Sequence, residues 1–561
     1  MKKIGAFLLI VGWCATGLAQ TTNSDPDLNR EMTLEKDYVP TVKDANKINR
    51  LPDITAPTAP QTPVQFANYM SVLDMPTSLY PLKSSASAFG SGEQMGYVNL
   101  GASTLPNFLA DAGFQILRLP TDRLNIYASH RSGKYDVTYI DTDIKNKKKI
   151  NDNVFGLNYL HKFSDWKIFA DAQYTYSQYN NYAWHESLGF DTDFTNNLFL
   201  VHAGAASTTS DNLSFLLNAT YTRFNQKYNT SETGNENRLL LDFDLNAPLD
   251  FDKRIGLSGS VKNYSFSNLA HTILLDASGN TYYDDEKHNY TILSAAPYLL
   301  FEGENWETHL GLSVSKQFGD QDKLLLAPDV RFHVQASDEV LFYVLAQGGF
   351  TDNSNYELFY QNRYLDPVRD SRTRLNAKLG VDLAILSNLN VDLHTSYRII
   401  DDEWFEAPNV WLPAYADAKV LNVGGAVRYA LPDLVDVELN VDYYKWKISD
   451  DENSVLGPIE TVFNKPKFIA NLKIGFTPIE PLRFDLAYRL EMDRKIAVSE
   501  SPVEALKLDD IHDVSLRGTY SFTKHFSAFV SANNLLFQKY DLWRGYPANP
   551  FHAMGGISYQ F

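Results

Sequence analysis

The feature that most constrains this chain is a two-residue alternation sustained over stretches of about ten to fourteen residues, repeated along most of its length, whereas strands in soluble proteins average ~5–6. Trp166, Ile168, Ala170, Ala172, Tyr174 and Tyr176 share one face, while Lys167, Asp171, Gln173 and Thr175 take the other. Leu239, Leu241, Phe243 and Leu245 alternate with Asp242, Asp244 and Asn246. Leu375, Ala377, Leu379, Val381 and Leu383 alternate with Arg374, Asn376, Lys378 and Asp382. Val435 to Tyr443 and Leu482 to Leu490 repeat the pattern, the latter with Arg483 and Arg489 among its polar positions. Successive side chains on a strand point to opposite faces, so each stretch is a strand with one apolar and one charged side. Long strands with lipid-compatible apolar faces and polar inner faces define a transmembrane β-barrel.

The remaining features agree. The 33 Tyr, 33 Phe and 8 Trp make 13% of 561 residues, and several sit at strand ends, such as Phe163, Trp166 and Trp306, where an interfacial girdle would lie. Beyond the first twenty positions no run of 18 apolar residues occurs, which excludes helical membrane spans. Short turns (Ser164-Asp165, Ser210-Asp211-Asn212, Ser337-Asp338, Ser387-Asn388, Ile479-Glu480-Pro481, Thr523-Lys524) alternate with longer connections near 131–151, 180–196, 269–288, 351–370, 400–416, 450–465 and 494–511. Counting strands from Met95 to Phe561 gives about 22, within two. An even number returns both chain ends to one side, expected to be the periplasm.

Lys2 and Lys3, the apolar run Ile4 to Trp13 and Gly17-Leu18-Ala19 read as a signal peptide over residues 1–19. The only cysteine, Cys14, lies inside it, so the mature chain carries no disulfide, thiol nucleophile or thiolate metal site. Its 48 basic and 68 acidic side chains leave a balance of −20, against a nucleic-acid partner. Residues 20–94, with Pro40, Pro52, Pro57, Pro60, Pro63, Pro76 and Pro81, read as an extended segment, periplasmic or entering the lumen.

Chemistry is sparse. No histidine pair has metal-ligand spacing, and no nucleophile elbow or phosphate loop is present, so neither enzyme activity nor a cofactor or metal is expected. His309 with Ser313 and His394 with Ser396 share strand faces, which keeps a barrel-embedded hydrolase as a third reading. The candidate lumen lining is Asp171, Asp242, Asp244, Arg374, Lys378, Asp382, Arg483 and Arg489. Tyr282-Tyr283 beside Asp284-Asp285-Glu286, and Trp404-Phe405 with Trp411 among carboxylates, are candidate binding aromatics on loops. Lys145 and Lys147-Lys148-Lys149 form a basic run on an expected outer loop, suited to anionic lipopolysaccharide.

The chain ends Gly555-Gly556-Ile557-Ser558-Tyr559-Gln560-Phe561, and Ile557, Tyr559 and Phe561 share a face. This terminal strand resembles the insertion signal read by the outer-membrane assembly machinery. Asn533-Asn534-Leu535, Tyr540, Trp543 and Gly545-Tyr546-Pro547 resemble the closing strands of TonB-dependent receptors, and Gly96 to Ala102 with the proline-rich extension is similar to receptor-like outer-membrane proteins of Bacteroidetes. The resemblance implies a Gram-negative outer-membrane barrel engaged in transport, among outer-membrane lipids and other envelope proteins. One departure stands out: receptors of this kind fill the barrel with an N-terminal plug, and the proline content of 20–94 argues against a folded one. The alternative is a structural or assembly subunit with a blocked lumen.

Overall fold

The computed structural model describes residues 95–561, apart from 141–143, 183–192, 209–211, 229–232, 251, 268–271, 276–280, 285–288, 320–321, 365–367, 407–412, 450–461, 498–504 and 544. The expected signal peptide, 1–19, and extended segment, 20–94, therefore lie outside the described residues.

The expected alternation becomes one closed antiparallel sheet of 22 strands, from Gly96–Ser103 to His552–Gln560. Each strand pairs with its neighbours in sequence, and the first pairs with the last, Tyr97 opposite Gln560 and Ser103 opposite Met554. Closure removes both sheet edges, so every strand has its backbone partners on two sides, as an apolar surrounding requires. Strands reach 19 residues at Pro413–Leu431, and Lys145–Lys162 and Leu389–Glu406 have 18 each. No helix of the described residues is long and apolar enough to cross a membrane.

The two faces separate as the alternation dictates. Phe155, Leu157, Phe199, Leu239, Leu241, Leu310, Leu312, Leu379 and Val423 are exposed on the outer wall. At the short-turn end Phe163 stacks on Trp166 with ring centroids 4.0 Å apart, and Tyr520, Phe522 and Phe526 cluster together. Ile557, Tyr559 and Phe561 are 45, 49 and 46% exposed, all on this outer face. The Phe561 N–H donates to Gly96 O at 3.0 Å, so both ends of the barrel chain meet at the short-turn end.

Inside the wall, tyrosines lie over glycines of the adjacent strand. A Cβ at Gly156 would stand 2.2 Å from the Tyr127 ring, at Gly256 2.1 Å from Tyr298, and at Gly380 2.4 Å from Tyr343. Each ring crosses its glycine and bonds one strand further on. Tyr127 Oη donates to Gln173 at 3.2 Å, Tyr298 Oη to Asp244 at 2.7 Å and Tyr343 Oη to Asp392 at 2.7 Å. Three strands are thereby tied by one side chain, with glycine required because any larger residue occupies the ring's place.

Three expected boundaries differ. The stretch 131–151 is a hairpin whose strands run to Thr138 and from Lys145, so the basic run is strand, not loop. Its alternation sends Lys148 inward, where it is buried, while Lys149 bonds Asp193 at 3.1 Å. Trp404 and Phe405 also belong to a strand, Leu389–Glu406, and Phe405 is fully buried against Ala416, Ala418 and Trp446. Phe405 is thus a packing residue with no face for a ligand. Tyr282 and Tyr283 fall in a small separate hairpin, Thr272–Leu275 with Thr281–Asp284. Their side chains, and Trp411, lie outside the described residues.

Candidate functional site

The interior is lined by hydrogen-bonded ladders that run around the wall from strand to strand. Asn158 Nδ2 donates to Asp171 Oδ1 at 2.5 Å, and His202 meets Asp171 Oδ2 at 3.2 Å and Asn218 at 3.4 Å. Asn218 Nδ2 then donates to Asp242 at 2.7 Å. Across the barrel, Arg483 bonds Asp436 and Asp485, each at 2.8 Å. His394 bonds Asp392 at 2.6 Å, with Asp442 at 3.5 Å, and Lys378 Nζ lies 5.5 Å from the Tyr343 ring centroid. Asn390 donates to Asp382 at 3.5 Å. Charges of both signs compensate locally, giving a polar wall without a strong single-sign field.

Two candidates sit differently from the others. Arg374 is the extra residue of a β-bulge, where the register steps from Thr373 opposite Ile400 to Leu375 opposite Ile399. Its guanidinium bonds Asp401 at 2.9 Å. Arg489 is covered (its side chain is 7% exposed), paired with Glu491, and offers no open lining surface. The histidine–serine pairs do not assemble either. His309 Nε2 bonds Asp329 at 2.9 Å and stacks on Tyr298, and both ring nitrogens of His394 face carboxylates, so neither imidazole is placed to activate its serine.

An assembly of buried charge lies at the long-loop end. The connection 351–371 leaves the thirteenth strand, Val340–Phe350, and enters the fourteenth, Arg372–Leu386, yet its side chains bond the fourth to eighth strands, far around the wall. Arg363 makes a two-pronged contact with Asp152 of Lys145–Lys162, both bonds 3.2 Å, and Arg131 reaches the same carboxylate at 2.6 Å. Arg238 of Thr233–Asp250 bonds Asp352 at 2.9 Å and Ser354 at 3.0 Å, and the Asn355 N–H donates to Glu236 at 2.6 Å. Between these anchors runs a short helix, Asn355–Gln361, started by Ser354 Oγ accepting from the Glu357 N–H. Phe359 of the helix is buried against Tyr179, Leu198 and Phe224. The segment therefore spans the mouth of the barrel as a chord.

A second connection, 534–551, meets it. Tyr546 stacks on Tyr364 with centroids 4.6 Å apart and donates to Asn181 at 3.0 Å, while Tyr135 and Lys148 both donate to Asn549, at 2.7 and 3.1 Å. Arg494 Nη1 donates to the Asp541 carbonyl at 3.0 Å, which ties the connection 493–510 into the same cap. Burial here shifts ionisation. The Tyr364 and Tyr540 phenols are pushed far above the ordinary range by desolvation, and the Glu357 carboxyl is raised for the same reason. Desolvation acts against the Arg363 charge, but the Asp152 carboxylate outweighs it and holds the guanidinium protonated. The space left among Lys148, Arg363, Tyr364, Trp543 and Tyr546 is about 10 Å³, room for roughly one water. None of Asp152, Arg363, Arg131, Arg238 and Asp352 was singled out by the sequence, because each is one polar residue among many and its partner is remote.

No family model and no curated protein matches this sequence. Solved structures do match. The siderophore receptor PirA from Acinetobacter baumannii superposes with a TM-score of 0.63 at 12% identity, covering 84% of this chain and 81% of its own. The FrpB iron transporter from Neisseria meningitidis gives 0.65 at 10% identity, covering 84 and 82%. The ferric enterobactin receptor PfeA from Pseudomonas aeruginosa gives 0.62 at 11% identity, covering 84 and 81%. At such identities the likeness lies in the fold: this chain folds as a 22-strand barrel of the outer-membrane receptor type.

Proposed function

We propose that the protein is a receptor-like barrel of a Gram-negative outer membrane that takes part in moving solute through its polar lumen, with its long connections outside and both chain ends in the periplasm. The observation that carries this reading is the pairing of a closed barrel, lined by polar ladders, with a mouth bridged by an ion-paired segment. A barrel of about 22 strands is too wide for its own wall residues to fill, so passage is controlled by whatever crosses it. In this reading residues 20–94 do not form an ordinary folded plug, and Asp171, Asp242, Asp244, Lys378, Asp382 and Arg483 line the path. The iron and siderophore receptors among the structural neighbours make a bulky, scarce solute the first class to test.

The test is single-channel conductance in a planar bilayer, comparing the mature chain with one lacking residues 20–94. Closed full-length protein and steady conductance after truncation are expected. Silence in both, even after the 351–371 segment is released, would sink the transport reading.

A further inference from the structure

The basic run that the sequence displays, Lys145 to Lys149, does not present one cationic face: Lys148 turns inward, Lys149 bonds Asp193 and Lys147 lies opposite Asp136. A different cluster emerges from two strands distant in sequence from that run. Lys419 of Pro413–Leu431 stands directly opposite Lys447 of Val435–Ile448, and Lys445 is opposite Leu421. All three lysines are exposed, and the alternation places them on the outer wall, because their neighbour Trp446 packs inward against Phe405. Like charges directly opposite on one face destabilise a sheet unless an anion lies between them. Among the described residues no carboxylate pairs with any of the three within 4.0 Å, while Asp417 sits one rung beyond, opposite Ser449.

What lies below them identifies the anion. Toward the middle of the wall, Leu421 (38% exposed) stands level with Lys445 and Tyr397, Val423 (51%) follows level with Tyr443, and Leu393 (51%) comes next, opposite Gly425. Ammonium groups at the rim, tyrosines mixed with apolar residues over the next two rungs and an apolar wall beyond suit an outer face passing from headgroups through the interface to hydrocarbon. A small soluble anion would gain only the ammoniums. An anionic lipid gains them and the apolar wall below.

We propose that Lys419, Lys445 and Lys447 form a docking patch for the phosphate of an anionic outer-leaflet glycolipid, its acyl chains lying along Leu421, Val423 and Leu393. The choice of leaflet rests on the orientation given under Proposed function. The purified mature chain, in detergent, is titrated with diphosphoryl lipid A and with its dephosphorylated form, and bound lipid is counted by native mass spectrometry. Each ammonium removed should weaken binding roughly fivefold, so Lys419→Gln, Lys445→Gln and Lys447→Gln together should cost on the order of a hundredfold. The matching triple change at Lys134, Lys145 and Lys147 alters net charge equally and should leave the tight site intact. Heat-dependent migration on gels confirms that each variant is a folded barrel. Equal binding by the patch variant and the unaltered chain overturns the proposal, as does equal loss in both triple variants or equal binding of the dephosphorylated lipid. Orientation is read separately, in intact cells, with a membrane-impermeant maleimide on Ser449→Cys or Glu304→Cys in this otherwise cysteine-free mature chain. Labelling at Ser449→Cys is expected. Labelling only at Glu304→Cys overturns the orientation and the leaflet, whatever the lipid titration gives.

Discussion

Asp152 serves two guanidiniums, Arg131 from the neighbouring strand and Arg363 from the crossing segment, with side chains 12, 20 and 10% exposed. Removing its charge leaves two covered cations without their counter-ion, a change that costs roughly 3–5 kcal/mol when a buried pair is broken. Asp152→Asn should therefore free the 351–371 segment, seen as faster proteolysis within it and as a higher conductance of the chain lacking residues 20–94. Replacing both partners, Asp152→Asn with Arg363→Met, should restore part of the protection, since no isolated charge remains on the segment. Glu357 supplies a pH dependence. Its carboxyl is raised by burial, so its contribution to holding the helix is complete below the ordinary carboxylate range and is lost as pH rises through the folded value. Protection of the segment should fall over that interval in the unaltered chain and stay flat in Glu357→Gln. Nothing local in the sequence marks Asp152, because Arg363 lies 211 positions away. Asp171 was legible for the opposite reason: its role follows from parity along its own strand.

The strand is the scale at which the sequence speaks most plainly, and its exceptions have identifiable causes. Arg374 breaks its alternation because a bulge inserts one residue between Thr373 and Leu375. Trp404 and Phe405 read as loop because Asp401, Asp402, Glu403 and Glu406 crowd them. The strand nevertheless continues past a register shift between Ile400 and Glu403, and Lys465, arriving from another connection, pairs with Glu403 beside the Phe405 ring. The tyrosine-over-glycine crossings carry an element-level prediction. In Gly380→Val the added side chain would meet the Tyr343 ring, whose unsubstituted Cβ position is already only 2.4 Å from it. Displacing the ring also loses its bond to Asp392, so the barrel should be destabilised by roughly 1–3 kcal/mol. A lowered urea midpoint measures this, and Gly349→Val, at a position with nothing within 4 Å of a Cβ, should change it far less.

For the whole molecule, what matters is how the mouth is closed. Three connections that leave the wall at different points, 351–371, 493–510 and 534–551, converge on one cap through Tyr364, Tyr546 and Arg494. Loosening one should loosen the others: Tyr546→Ala, which removes the shared ring, should raise protease sensitivity in 351–371 as well as in 534–551. Unchanged cleavage in 351–371 would show that its own ion pairs hold it alone.

Fold class, strand number, the apolar outer wall and the outward-facing trio Ile557, Tyr559 and Phe561 were all determined by the sequence itself. A strand's period is a local property: side-chain parity follows from backbone geometry alone, and a two-faced strand has few environments to choose among. Closure decided the rest. Which carboxylate meets which guanidinium across the mouth, which tyrosine covers which glycine, and which lysines on separate strands end face to face depend on register and on chords across the lumen. Those relations are set by pairing between strands and, across the mouth, join residues hundreds of positions apart, which no local pattern records.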